Sequence, residues 1–77
     1  MIINLIPEAN HPTHATGGAY MDEIGNLYYD PAVDKDHLRF IFIHEIIEYK
    51  LPMLDHQFID EFAELIDEVL GKWEGMK

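Results

Sequence analysis

The most constraining feature of the sequence is an apolar stretch, residues 40–49, with three ionisable side chains near its centre. It reads Phe-Ile-Phe-Ile-His-Glu-Ile-Ile-Glu-Tyr and contains His44, Glu45 and Glu48. A helix this apolar is predicted to be buried around most of its circumference. An unpaired charge in such a place costs several kcal/mol, so the fold must supply a partner for these groups.

The length and cysteine content limit how such a helix can be held in place. The chain has 77 residues and no cysteine, so residues 1–77 are predicted to form a single domain without disulfides. Hydrophobic residues make up 48% of the chain, which favours a folded structure over disorder. A domain this small is marginally stable, and a bound metal ion would strengthen it.

The charge balance argues against two classes of partner. Fifteen acidic residues against five basic ones give a formal net charge of −10. Nucleic acids and anionic membrane surfaces both require clustered Lys and Arg, so neither is an expected partner. Residues 1–6 lack the basic start and the long apolar segment of a signal peptide, and no apolar run approaches the roughly 20 residues of a membrane span. The predicted location is the cytoplasm.

Local patterns predict three short strands followed by two helices. Gly25-Asn26 is a hairpin turn signal between the second and third strands. Asp34 or Asp36 is predicted to cap the first helix, which ends before Pro52. The predicted strands are residues 2–6, 19–23 and 27–29, and the predicted helices are residues 35–50 and 55–70. The expected fold is therefore a small α+β domain, with antiparallel N-terminal strands packed on an antiparallel two-helix hairpin.

The second helix is predicted to be amphipathic, with Asp55 as its N-cap and Gly71 as its stop. Its acidic residues occupy the face opposite the apolar one, as expected for a solvated surface. The predicted apolar face consists of Phe58, Ile59, Phe62, Ala63, Leu65, Ile66, Val69 and Leu70.

The spacing of His44 and Glu48 is typical of a metal-binding pair. Residues four apart lie on one face of a helix, with β-carbons about 5–6 Å apart. An imidazole nitrogen and a carboxylate oxygen can converge on one ion from these positions. Glu45 lies beside them and can reach the edge of the same site as a general base for a metal-activated water.

A third ligand is expected from the start of the second helix, which lies against the end of the first. His56 is in line with the residues that face the first helix, whereas Asp60 and Glu64 are predicted to point away. His37, on the same stripe as His44, is the next candidate. His11 and His14, in the loop Glu8–Gly18, are weaker candidates.

These motifs together resemble a known family. Tyr28-Tyr29-Asp30-Pro31, the His44-Glu45-x-x-Glu48 helix and Leu54-Asp55-His56-Gln57 are similar to very short zincin-like proteins of phage and prophage genomes, usually described as metallopeptidases. The similarity covers about residues 27–70. It implies zinc as the cofactor, His44 and Glu48 as metal ligands, Glu45 as the general base, and His56 as a third ligand or a site-lining residue. The common motif is His-Glu-x-x-His, and Glu48 stands at its fifth position here.

Three functions remain open on the sequence alone. The first is a minimal zinc metallopeptidase that cleaves a peptide or protein substrate. The second is a degenerate zincin-like fold that binds zinc, or another divalent metal, without catalysis. The third is a metal-free interaction module with a buried His/Glu network, such as a homo-oligomer formed through the first helix or through Tyr28 and Tyr29.

Overall fold

The fold is a small three-stranded sheet followed by two packed helices. The structure is a computed structural model that describes residues 2–9 and 18–76. The chain is α+β, as predicted from the sequence. Its elements are β1 (Asn4–Pro7), β2 (Ala19–Met21), β3 (Asn26–Tyr29), α1 (Lys35–Lys50) and α2 (His56–Gly75).

The sheet is mixed, so the prediction of purely antiparallel strands is wrong. The strand order is β1-β3-β2; β3 pairs antiparallel with β2 and parallel with β1. Successive strands do reverse direction along the chain. Because β3 lies between the other two, the strands that run in the same direction, β1 and β3, become neighbours. The hydrophobic pattern of short strands does not reveal which strand will lie at the centre of the sheet.

The predicted β2–β3 hairpin is confirmed, with a turn at Asp22–Gly25. Gly25 has a φ of 95°, which favours glycine, while Asn26 is already part of β3. One Asp22 oxygen accepts hydrogen bonds from the backbone N–H groups of Ile24 and Asn26 at 3.0 and 2.9 Å. These bonds, led by that from Asn26, lower the pKa of Asp22 below its usual value.

Helix α1 begins and ends where the sequence predicts, but it is less buried than expected. The Asp34 side chain accepts hydrogen bonds from the backbone N–H groups of Asp36 and His37, and the helix ends at Lys50. Only Leu38 and Ile41 are buried, and Ile46 is exposed. The sheet and α2 therefore leave part of α1 in contact with solvent.

Helix α2 continues past the predicted stop at Gly71 to Gly75. The Arg39 guanidinium lies against Gly71, where an added β-carbon would come within 3.0 Å of it. Arg39 Nε donates to Asp67 at 2.6 Å and Nη1 donates to Glu74 at 3.1 Å, so the guanidinium contacts residues on both sides of Gly71. The glycine therefore makes room for Arg39 within the helix and does not end it.

One buried cluster connects the sheet with the first helix. Ala19, Leu27 and Ile41 join β2, β3 and α1, while Ile59 and Ala63 are the buried residues of α2. Leu27 and Ile59 are the largest fully buried side chains among the described residues. Neither helix is long and apolar enough to cross a membrane, within residues 2–9 and 18–76.

Gly18 is predicted to be intolerant of a side chain. Its φ is 92°, and a β-carbon there would lie 2.9 Å from Val33 Cγ2. We expect Gly18→Ala to lower the free energy of unfolding by about 1–3 kcal/mol in urea denaturation, because both backbone strain and a clash oppose it. Gly75→Ala is the control, because no atom lies within 4 Å of its added β-carbon. It should change the free energy of unfolding by less than about 1 kcal/mol.

Candidate metal centre

A cleft lies where the end of α1 meets the start of α2. Its volume is about 680 Å³, within the usual range of roughly 300–1,000 Å³ for ligand sites. A cleft of this size is thus present in a chain of only 77 residues. The polar side chains that line it are His37, His44, Glu45, Glu48, His56 and Asp60.

His44, Glu48 and His56 converge in this cleft. The turn Leu51–Asp55 reverses the chain, so the first residue of α2 faces the last turns of α1. His44 Nε2 lies 3.1 Å from Glu48 Oε2, and His56 Nδ1 lies 3.6 Å from the same oxygen. The His44 side chain is 12% exposed and that of His56 is 71% exposed, so the group extends from the interior to the surface.

The spacing of these three side chains fits a single ion. Ligand atoms about 2.1 Å from a tetrahedral ion are about 3.4 Å apart. The two measured distances to Glu48 are close to that value, and all three ligand atoms lie within 4.8 Å of one another. Two imidazoles and one carboxylate are also a donor set that zinc accepts. Small side-chain rotations would therefore be enough to surround an ion.

Asp60 is a site residue that the sequence-based reasoning missed. It was predicted to point away from α1, but its Oδ1 atom lies 2.7 Å from His44 Nδ1. At 100° per residue, Asp60 is only about 40° around the helix from His56. A side chain at that angle still reaches the neighbouring helix, and the spacing of four residues from His56 was the available signal.

The contact with Asp60 places a carboxylate on each side of the His44 ring. A metal-bound histidine commonly has its second nitrogen held by a carboxylate, which fixes the ring orientation and its tautomer. With the Nδ1 proton facing Asp60, the lone pair of Nε2 faces Glu48 and the cleft. Two acceptors, Nε2 and the Glu48 carboxylate, would then face each other, and either a bound cation or a second ring proton between them would satisfy both.

Glu45 is half-buried and lines the same cleft. Burial raises the pKa of its carboxyl above the usual 4.5, and the negative charge of Glu48 raises it further. His44 and His56 partly oppose this shift. A raised pKa makes a carboxylate a better proton acceptor at neutral pH, as a general base requires.

The other predicted candidates are outside the converging group. His37 lines the cleft but is not among the side chains close enough to share an ion with His44. Glu64 is exposed, as predicted. His11 and His14 lie outside the residues that the structure describes.

Comparisons with known proteins add no relative to this picture. No protein family, curated protein or solved structure matches the chain. The zincin-like resemblance is therefore still a prediction, and the case for a metal centre depends on the geometry of the cleft.

Proposed function

We propose that the protein binds one divalent metal ion, zinc in the first instance, through His44, Glu48 and His56. The observation that carries this proposal is the convergence of the three side chains within 4.8 Å at the mouth of one cleft. The Asp60 contact with His44 supports it, because it presents the correct ring nitrogen to the ion. The charge of Glu48 partly neutralises a divalent cation, which favours binding.

The same geometry supports a zincin-like hydrolase with a peptide substrate. Three protein ligands leave a fourth position of a tetrahedral ion for water, as catalytic sites do. The ion would supply a Lewis acid that acidifies this water. Glu45 would accept the proton of the water and later return it to the leaving amine. A carboxylate at position 48, in place of a second helical histidine, lowers the charge of the site and should slow this chemistry.

A second function, a metal-free interaction module, is favoured by one observation. His44 lies between Glu48 and Asp60, so a doubly protonated ring could donate a hydrogen bond to each carboxylate. In that case the cluster is a polar network that joins the two helices. The two functions differ in a measurable way, because only the first requires a bound ion.

Metal content tests the proposal directly. We expect protein purified without an affinity tag and dialysed against zinc to hold about one zinc per chain by elemental analysis. Glu48→Ala should lower the affinity at least about 100-fold, since it removes a ligand and not merely a residue that supports one. Glu64→Ala, at an exposed position on α2, is the control and should keep the metal. Absence of zinc from the wild type would reject the metal centre and favour the interaction module.

A further inference from the structure

A straight apolar stripe along α2 and its C-cap residue is left 42–78% exposed by the described part of the chain. Five exposed residues form it, and we call them the α2 stripe. They fall within about 60° of the helix circumference at 100° per residue. They recur at spacings of four and three, the pattern of a helix-pairing seam. The stripe consists of Phe58 at 49% exposure, Phe62 at 42%, Leu65 at 65%, Val69 at 66% and Met76 at 78%.

The apolar face predicted for α2 is therefore only partly buried. Only Ile59 and Ala63 are buried on this helix, so α1 covers one side of the face and leaves the stripe open. Tyr28 and Tyr29 are less exposed than expected of a dimer surface. Tyr28 stacks on Tyr20 with ring centroids 4.8 Å apart, and Tyr29 packs edge-on against Phe42.

We propose that the α2 stripe packs antiparallel against the α2 stripe of a second copy of this chain. Lys72 occupies the one position of the seam that is not apolar. In a parallel pair it would face the Lys72 of the other copy, with two like charges inside the contact. In an antiparallel pair centred between Leu65 and Val69, Lys72 lies opposite Phe62 and beside Glu61 of the other copy. The single basic side chain of the seam, which already pairs with Glu68 of its own chain at 3.4 Å, then meets a second carboxylate.

The area of the stripe is sufficient for such a dimer. Each exposed side chain contributes on the order of 100 Å², so the two copies together would bury about 1,000–1,200 Å². This is at the lower end of specific interfaces, as is typical of a weak, reversible dimer. The apolar area buried by dimerisation would add to a small core, because Leu27 and Ile59 are the largest fully buried side chains among the described residues of each copy.

The net charge of the chain makes the dimer distinguishable from a complex with a basic partner. Each copy carries a formal charge of −10, so the two copies repel each other at long range. Salt screens this repulsion, and the dimer should therefore tighten as ionic strength rises. A complex with a basic helix would weaken under the same change.

Sedimentation equilibrium from about 5 to 500 μM, with chelator present to prevent metal bridging, tests the proposal. We expect a monomer–dimer equilibrium for the wild type. The dissociation constant of the dimer should be at least about tenfold higher for Leu65→Glu. Ile24→Glu changes a residue that is 78% exposed but outside the stripe, and it should dimerise as the wild type does. The proposal would be overturned if the wild type stayed monomeric over the whole concentration range. It would also be overturned if Leu65→Glu and Ile24→Glu weakened dimerisation equally.

The direction of packing can be read from disulfides, because the chain has no cysteine of its own. An antiparallel pair brings Phe58 close to Met76 of the other copy. Oxidising a mixture of Phe58→Cys and Met76→Cys chains should therefore give mainly the mixed disulfide. Predominance of the two homodimeric disulfides would show parallel packing and overturn the antiparallel arrangement.

Discussion

Zinc should raise the melting temperature of the wild-type protein by about 10–20 °C at a free concentration 100 times the dissociation constant, and His44→Ala should lose this rise entirely. Binding at that concentration stabilises a protein by about 2.7 kcal/mol. For a domain of this size, each 1 kcal/mol shifts the melting temperature by about 4–8 °C. His44 is the least exposed of the three proposed ligands, so its removal leaves only the two more exposed side chains, Glu48 and His56, to hold the ion.

The melting temperature of each variant is compared with and without zinc. Any effect of the substitution on the stability of the metal-free protein is present in both values and cancels in their difference. His37→Ala is the matched control. His37 lies on the same helix and lines the same cleft, but it is outside the converging group. It should keep the full zinc-dependent rise. A rise that survives in His44→Ala, or that disappears in His37→Ala, would contradict the proposed ligand set.

Replacing Glu45 with glutamine should abolish hydrolysis and at the same time stabilise the metal-free protein at neutral pH. Loss of a general base typically lowers the rate by about 10²–10⁴-fold. The stability change follows from the raised pKa of Glu45, whose first cause is burial. Between the usual pKa of 4.5 and the raised one, the native chain binds more protons than the unfolded chain, so ionisation of Glu45 lowers the free energy of unfolding as pH rises.

Two measurements check this prediction. Cleavage of an unstructured protein such as casein by the zinc-loaded protein reports hydrolysis, while zinc content should be unchanged by Glu45→Gln. Thermal unfolding with chelator should show a higher melting temperature for Glu45→Gln at pH 7 and no gain near pH 3.5, where the carboxyl is protonated in both states. Glu64→Gln, an exposed substitution of equal charge change, should show neither effect. Stabilisation that persists at pH 3.5 would contradict the burial argument.

Local sequence signals predicted most of the fold. The limits of α1 follow from Asp34, whose side chain binds the first free N–H groups, and from Pro52, which disfavours helical geometry before it. The β2–β3 hairpin follows from Gly25. These features depend on a few neighbouring residues, so they can be read directly from the sequence.

The features that were missed depend on contacts between distant residues. The place of β3 between β1 and β2 is decided by tertiary packing and not by the strands themselves. The continuation of α2 beyond Gly71 depends on Arg39, which lies far away in the sequence. The role of Asp60 depends on the rotation of α2 against α1, and a shift of less than half a turn decides whether it faces His44 or solvent.

The candidate site shows a similar division. Spacing on one helix identified His44 and Glu48, and the hairpin geometry added His56, which the structure brings beside them. Spacing did not reveal the cleft, because its volume depends on how far the two helices diverge at the turn.

The short turn between α1 and α2 has a consequence for how the protein folds. His44, Glu48, His56 and Asp60 all lie between residues 44 and 60, on either side of Leu51–Asp55. Bringing them together closes only a short segment of chain, which costs little loop entropy and involves contacts of low sequence separation. These four residues therefore lie at most 16 residues apart, whereas the paired residues of β1 and β3 lie 22 apart, so the helical hairpin has the lower loop-closure cost.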